Sequence, residues 1–347
     1  MRLKIAIIAT GLLSLGACGD QAGGAGARDQ VRVVGSSTVY PFATLVAEQF
    51  RAENPGLKAP VVEETGTGAG IKLFCKGVGA AHPDILDASR RMTAKEFSSC
   101  EANNVGPIME IQIGLDGITF AEAKNGPKLQ LIPADIYAAL AANPMGQPNK
   151  AKTWKDVNPA LPAIPIQVYG PPSTSGTRTA LAEILMQRGC QAVYPESLKL
   201  KDKEPDKYRK ICEEIRSDGP YIDAGENDNL IVQKLQANPN AVGIFGYSYL
   251  EQNLQTLAGV PIGGVAPTYE TVAQGRYPGS RPLYIYVKKA HLNAVQGLAK
   301  FIAVYPKMWN PGGPLVKRGL IAAPQNVRDA AAKVIENGTV LDMSNLE

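Results

Sequence analysis

Histidine is nearly absent from this chain, which has two among 347 residues, His82 and His291. His82 precedes Pro83 and His291 follows Lys288-Lys289, so each reads as a surface residue rather than a general base. No Gly-x-Ser-x-Gly elbow is present. No Walker A sequence is present either, and Gly66 to Ile71 fails the GxGxxG test at its last position. Acyl transfer and nucleotide chemistry therefore have little to stand on. The cysteines lack CxxC-like spacing, which speaks against a zinc site. Charge of one sign is also lacking: 36 Lys and Arg face 32 Asp and Glu, and nothing in that balance supports nucleic-acid binding. The N-terminal apolar run, Ile5 to Ala17, has 13 residues and is too short to span a bilayer. Apolar residues still make up 45% of the chain, enough for real cores, and the length favours two lobes.

Arg2 and Lys4 precede that apolar run, so residues 1–17 read as a secretory signal peptide. The ending Leu15-Gly16-Ala17-Cys18 looks like a bacterial lipobox, with cleavage before Cys18 and a lipid on its thiol. Such a chain anchors a protein to a membrane without crossing it. Plain cleavage nearby, leaving a free thiol, is the alternative. Residues 18–30, rich in glycine and alanine, read as a flexible tether. Removing Arg2 and Lys4 from the 36 basic residues leaves 34 against 32, a mature charge of +2. Setting Cys18 aside leaves Cys75, Cys100, Cys190 and Cys212, which an exported protein can oxidise. Three connectivities are open. Local spacing favours Cys75–Cys100 and Cys190–Cys212.

What the sequence does have is three clusters of hydroxyl residues and glycines. They are Gly35-Ser36-Ser37-Thr38-Val39, Thr65-Gly66-Thr67-Gly68-Ala69-Gly70 and Ser173-Thr174-Ser175-Gly176-Thr177-Arg178. Strand-like residues precede each cluster: Val31 to Val34, Pro60 to Glu63, and the alternating Ile164, Ile166 and Val168. Helix-like residues follow each: Phe42, Leu45, Val46 and Phe50 behind Pro41; Ile71 and Phe74; Leu181, Ile184 and Leu185, ending near Gly189. A hydroxyl-rich loop at a helix start offers free N–H groups and the positive end of the dipole. Any one such loop is ordinarily a simple cap. Three suggest convergence on one anion. The repeated strand–loop–helix unit argues for α/β architecture with mostly parallel sheets, which bind ligands beyond the carboxyl ends of strands. Met109 to Phe120 and Leu283 to Val287 read as long central strands.

Asp87-Ala88-Ser89-Arg90-Arg91 adds an arginine fork suited to a tetrahedral oxyanion, although adjacent arginines are more often simply solvated. Arg178 is a further candidate. With these residues in view the chain resembles the phosphate-binding proteins of bacterial ABC importers (the PstS family). The resemblance rests on Gly35 to Pro41, Thr65 to Gly70, Phe74-Cys75 and Asp87 to Arg90. It continues through Lys152-Thr153-Trp154, Tyr169-Gly170-Pro171, Ser175-Gly176-Thr177, Glu226 to Asn229, Gly243 to Tyr247 and Ser280-Arg281-Pro282-Leu283. It covers about residues 31–325 and implies a type II periplasmic binding fold: two α/β lobes, a ligand cleft and two crossover strands, near Gln112–Ile118 and Gly279–Ile285. Lobe I would comprise residues 31–113 and 280–347, and lobe II residues 114–279.

Carried over by motif, Ser37, Thr38, Thr67 and Gly68 would hold phosphate from one lobe, Ser175, Gly176 and Thr177 from the other, with Arg90 supplying charge. The resemblance implies no cofactor, no metal and no catalysis. It implies a periplasmic monomer delivering inorganic phosphate to an inner-membrane ABC permease. Two departures stand out. Many relatives place an aspartate where this chain has Arg90, and an arginine where it has Pro171. The missing carboxylate accepts the phosphate proton and thereby rejects sulfate. Asp228 is the candidate replacement, with Asp218 and Glu226 as alternatives. A binder of another tetrahedral oxyanion (sulfate, molybdate or arsenate), a secreted phosphoesterase and a structural surface protein are the competing readings.

Overall fold

The computed structural model describes residues 28–173, 175–225 and 228–346. The signal peptide, Cys18, most of the tether and Glu226 lie outside the described residues. Among the described residues, nine strands build the sheet framework: β1 Arg32–Gly35, β2 Val61–Glu64, β3 Ile85–Ala88, β4 Ile108–Ala123, β5 Val168–Gly170, β6 Tyr221–Asp223, β7 Val242–Gly246, β8 Leu257–Gly259 and β9 Ser280–Lys288. Their order is β2-β1-β3-β9-β4-β7-β5-β6, with β8 on β4.

The first two clusters behave as their sequence suggests. β1, running into the first, pairs in parallel with β2 and β3, and the helix Tyr40–Glu53 follows with Pro41 in its first turn. Phe42, Val46 and Phe50, four residues apart, point into the core. Phe50 packs edge-on against Phe301 at 5.7 Å, and burying such a ring contributes about 1.5–3 kcal/mol. The second helix, Thr67–Phe74, begins inside its cluster. Gly66 takes φ +78° as its N-cap, and Gly70 lies so close to Gly35 that a Cβ would sit 2.7 Å from the Gly35 Cα. That third glycine therefore serves packing of helix on strand.

The sheet is mixed rather than mostly parallel. The chain leaves the first half along β4 and returns along β9, so these neighbours run antiparallel, with β9 also antiparallel to β3 and β4 to β7. Side chains alternate across β9. Leu283, Ile285 and Val287 enter one core, and Tyr284 and Tyr286 enter another on the opposite face. Both cores draw on residues from each end of the chain. A third core, beyond the crossovers, is built from Leu115 to Tyr277 with Ile321 and Ala323.

Four local expectations are corrected. The alternation at Ile164, Ile166 and Val168 yields only the three-residue β5, because the chain before it carries Pro165 and joins other segments by isolated bridges. The helix after the third cluster does not stop at Gly189. It runs from Gly176 through a π-helical turn at Ala182–Met186 to Val193. Gly189 is there because a side chain would collide with the Pro133 carbonyl oxygen. His291 is buried, not on the surface: its Nδ1 lies 2.6 Å from Asp84 Oδ1, and its Nε2 accepts from the Gly79 amide at 2.9 Å. Arg28, within the segment read as tether, is docked onto the Ala80 and His82 carbonyls and Asp84.

Cys75–Cys100 and Cys190–Cys212 both form disulfides, with Cα atoms 4.3 and 5.3 Å apart. The first joins the helix Thr67–Phe74 to the helix Ala94–Ala102. The second joins the helix Gln187–Val193 to the helix Pro205–Cys212.

Candidate anion-binding cleft

The first and third clusters meet. Gly176 comes so near the first loop that a Cβ on it would lie 3.4 Å from the Ser37 carbonyl oxygen and 3.6 Å from the Thr38 Cα. Ser37, Thr38, Ser175, Gly176 and Thr177 line one chamber of about 270 Å³. Both loops are held by their own hydroxyls. The Ser36 Oγ accepts from the Thr38 amide, and the Ser175 Oγ, as N-cap of its helix, accepts from the Thr177 amide, each at 3.2 Å. Ser37 makes no hydrogen bond to any described residue.

Arg281, 9% exposed, forms the boundary of this chamber. β4 and β9 place Asp116 and Arg281 directly opposite each other in register. The Arg281 Nε lies 3.3 Å from Asp116 Oδ2, Nη1 donates to Glu183 at 2.7 Å, and Nη2 donates to the Thr38 hydroxyl at 2.9 Å. One guanidinium thus touches the first loop, a crossover strand and the helix run behind the third loop. Burial raises the Asp116 carboxyl above its ordinary value, and the adjacent Arg281 pulls it part of the way back.

Beyond Arg281 lies a second chamber of about 570 Å³. It holds the rest of the expected set: Thr67, Gly68 and Arg90. The Thr67 hydroxyl lies 3.0 Å from the Ser89 hydroxyl and accepts from the Ser89 amide at 3.1 Å. Arg90 donates from both terminal nitrogens to Glu96, at 2.9 and 2.7 Å. Glu96 is itself the N3 residue of the Thr93 capping box. Sequence reasoning therefore named residues of both chambers, and the fold gathers them on two sides of one arginine.

Of the carboxylates considered as proton acceptors, Asp228 lines the inner chamber. Asp218 does not. It is paired bidentately with Arg216 at 2.6 and 2.7 Å, and chiefly for that reason its carboxyl falls to about 2. Arg178 stacks over the Tyr221 ring at 4.4 Å. Tyr221 in turn donates to the Pro171 carbonyl at 2.6 Å, at the position where the family pattern has an arginine. Six charged residues at the cleft were not named as site residues from sequence: Asp116 and Arg318 on the inner chamber wall, and Arg281, Glu183, Arg188 and Lys201 on the outer one. The usable signal was a charge inside an apolar strand, at Asp116 and Arg281, because a buried charge needs a partner. Among the described residues, no group of three or more His, Cys, Asp or Glu is placed to hold a metal ion. No helix among them is long and apolar enough to cross a membrane.

Two α/β lobes, two crossover strands and a polar cleft between the lobes define the type II class of periplasmic binding folds. The chain belongs to the PBP superfamily: the family model described as PBP superfamily domain matches residues 20–305. Protein SphX of Synechococcus elongatus is 29% identical over 367 aligned positions, covering 99% of this chain and 95% of that protein. The phosphate-binding protein PstS of Staphylococcus aureus is 29% identical, covering 90% of this chain and 85% of that one. Among solved structures, a possible phosphate binding protein from Planctomyces limnophilus matches with a TM-score of 0.71 at 29% identity, over 89% of this chain and 98% of that one. PstS from Borrelia burgdorferi, 18% identical with a TM-score of 0.56, shares the fold.

Proposed function

We propose that this protein is the phosphate-binding component of an ABC importer, capturing inorganic phosphate between its lobes and delivering it to a membrane permease. The observation that carries this reading is the inner chamber. Two helix-start loops, which we assign to opposite lobes, line it together, and a buried arginine beside it already donates to Thr38. A tetrahedral dianion entering it exchanges water for fixed N–H and O–H donors, each charge-assisted bond contributing about 1.5–3 kcal/mol. Because the donors come from both lobes, the ligand favours the closed arrangement. The names of the relatives support phosphate as the anion.

The proposed ligand set is Ser37, Thr38, Ser175, Gly176 and Thr177 around the anion; Thr67, Gly68 and Arg90, which the motifs add to it, lie in the outer chamber with Arg281. Asp228 is proposed as acceptor of the phosphate proton. The reading is of a transport protein without catalysis. It includes a lobe I of residues 31–113 and 280–347, a lobe II of residues 114–279, a signal peptide over residues 1–17, lipidation at Cys18, a periplasmic location and a monomeric state.

Thermal unfolding with phosphate, sulfate, arsenate and molybdate tests it. Phosphate at 100 times its Kd should add about 2.7 kcal/mol. No stabilisation by phosphate sinks the assignment. Asp228→Asn should narrow the preference for phosphate over sulfate, and an unchanged preference removes Asp228 from its role.

A further inference from the structure

The outer chamber is far larger than one phosphate requires. A five-heavy-atom anion fills roughly two to three water volumes, about 60–90 Å³, against a cavity of about 570 Å³. Its cations are graded by depth. Arg90, Arg91, Arg188 and Lys201 are exposed along its wall, and Arg281 is buried at its floor. They also differ in how far they are neutralised. Glu96 grips Arg90, and Glu110 grips Arg91. Arg188 donates only to the neutral Pro278 carbonyl at 2.8 Å, and Lys201 to the Gln187 amide oxygen at 2.9 Å. Among the described residues neither Arg188 nor Lys201 makes an ion pair. Of the nearby carboxylates, Glu183 is held by Arg281, and Glu213, raised chiefly by burial, feels the Lys201 charge without forming an ion pair with it.

Resting on the phosphate reading, we infer that this outer chamber is an anion-capture vestibule. Arg188 and Lys201 draw a hydrated tetrahedral oxyanion in from solvent, and Arg281, which lines the outer chamber and donates to Thr38 of the inner one, passes it on. Two exposed cations without an ion pair on the wall of a cleft raise the local anion concentration. Steering of this kind speeds association by about 10- to 1000-fold and is screened over about 10 Å at 0.1 M salt. The vestibule therefore acts on the association rate, whereas the inner chamber sets the dissociation rate.

The test is stopped-flow mixing of the full protein with inorganic phosphate, with free phosphate followed by an independent fluorescent sensor, at several ionic strengths. The Arg188→Gln/Lys201→Gln double variant should lose about tenfold in association rate at low salt. Its dissociation rate should stay unchanged, and the deficit should close as salt rises. A Lys155→Gln/Lys333→Gln variant removes the same charge from positions outside the chamber and should match the wild type. An unaltered association rate, an equal loss in the control, or a change confined to dissociation overturns the vestibule while phosphate binding stands. If calorimetry detects no phosphate binding at all, the proposed function falls and the vestibule with it.

Discussion

The two chambers on either side of Arg281 are built from the same ingredients and use them differently. In the inner one, the Ser36 and Ser175 hydroxyls hold their own loops, the Thr38 hydroxyl accepts from Arg281, and Ser37 is left without a partner among the described residues. In the outer one, Thr67 and Ser89 satisfy each other and Arg90 is neutralised by Glu96. A binding site for a desolvated anion needs donors with nothing better to do, since a group already bonded must first be released. A vestibule needs only charge. Residue types do not separate these cases, but hydrogen-bond partners do.

The strongest way to break the comparison is at the boundary. Arg281→Ala leaves Asp116, whose side chain is 16% exposed, without its cation, and breaking such a pair costs up to about 3–5 kcal/mol when it is fully buried. The variant should unfold earlier by urea titration and show no stabilisation by phosphate, while Arg281→Lys should recover part of both. Full phosphate stabilisation in Arg281→Ala would mean that the guanidinium is only a strut between lobes. Next comes the Cys75–Cys100 disulfide, which fastens the helix of the Thr67 loop to the helix of Glu96, both on the outer side. Opening this loop, in a Cys75→Ser/Cys100→Ser pair, should cost about 3 kcal/mol. The stabilisation by saturating phosphate should remain. If it vanishes, the outer side belongs to the site proper.

Legibility in the sequence depends on range. The starts of the helices Tyr40–Glu53, Thr67–Phe74 and Gly176–Leu181 are written within a few residues, as Pro41, Gly66 and Ser175, and a local reading finds them. Strands β4 and β9 are visible as apolar runs. Their pairing is not, because it fixes Asp116 against Arg281 across 165 positions of sequence. The chamber boundary depends on that register and so escapes local reading. Gly189 misleads for a related reason: it is a glycine because the Pro133 carbonyl presses on it, which a local pattern reads as a helix stop. His291 shows the same limit, since Asp84 and Gly79, more than 200 positions away, make it a buried residue.

Behind the inner chamber, Asp87 offers a pH test of smaller size. It is buried, its Oδ1 has no hydrogen-bond partner, and burial raises its carboxyl well above the ordinary value. A carboxyl raised on folding holds its proton more tightly in the folded state. Its contribution is fully present below about 3.8 and is lost as pH climbs through the raised value. Asp87→Asn removes the charge that must otherwise be buried or neutralised. The variant should gain stability over wild type at pH 7, each tenfold difference in proton affinity between folded and unfolded chain being worth about 1.4 kcal/mol. At pH 4 it should gain little. Urea titrations at the two pH values decide it, and a gain independent of pH removes Asp87 as the cause.

The smallest expected effect is at Arg90, where the motif-based reading and the geometry diverge most. By motif Arg90 compensates the phosphate charge. In the folded chain its guanidinium is 45% exposed, lies in the outer chamber and is gripped by Glu96, which also keeps its capping bond to the Thr93 amide. Exposed ion pairs contribute about 0–1 kcal/mol, and Glu96 retains its helix cap without Arg90. Arg90→Ala should therefore lower stability by less than about 1 kcal/mol and leave the stabilisation by saturating phosphate intact. If that stabilisation is lost instead, Arg90 must leave Glu96 when the anion arrives. The two chambers are then one site, with Arg281 inside it rather than between two.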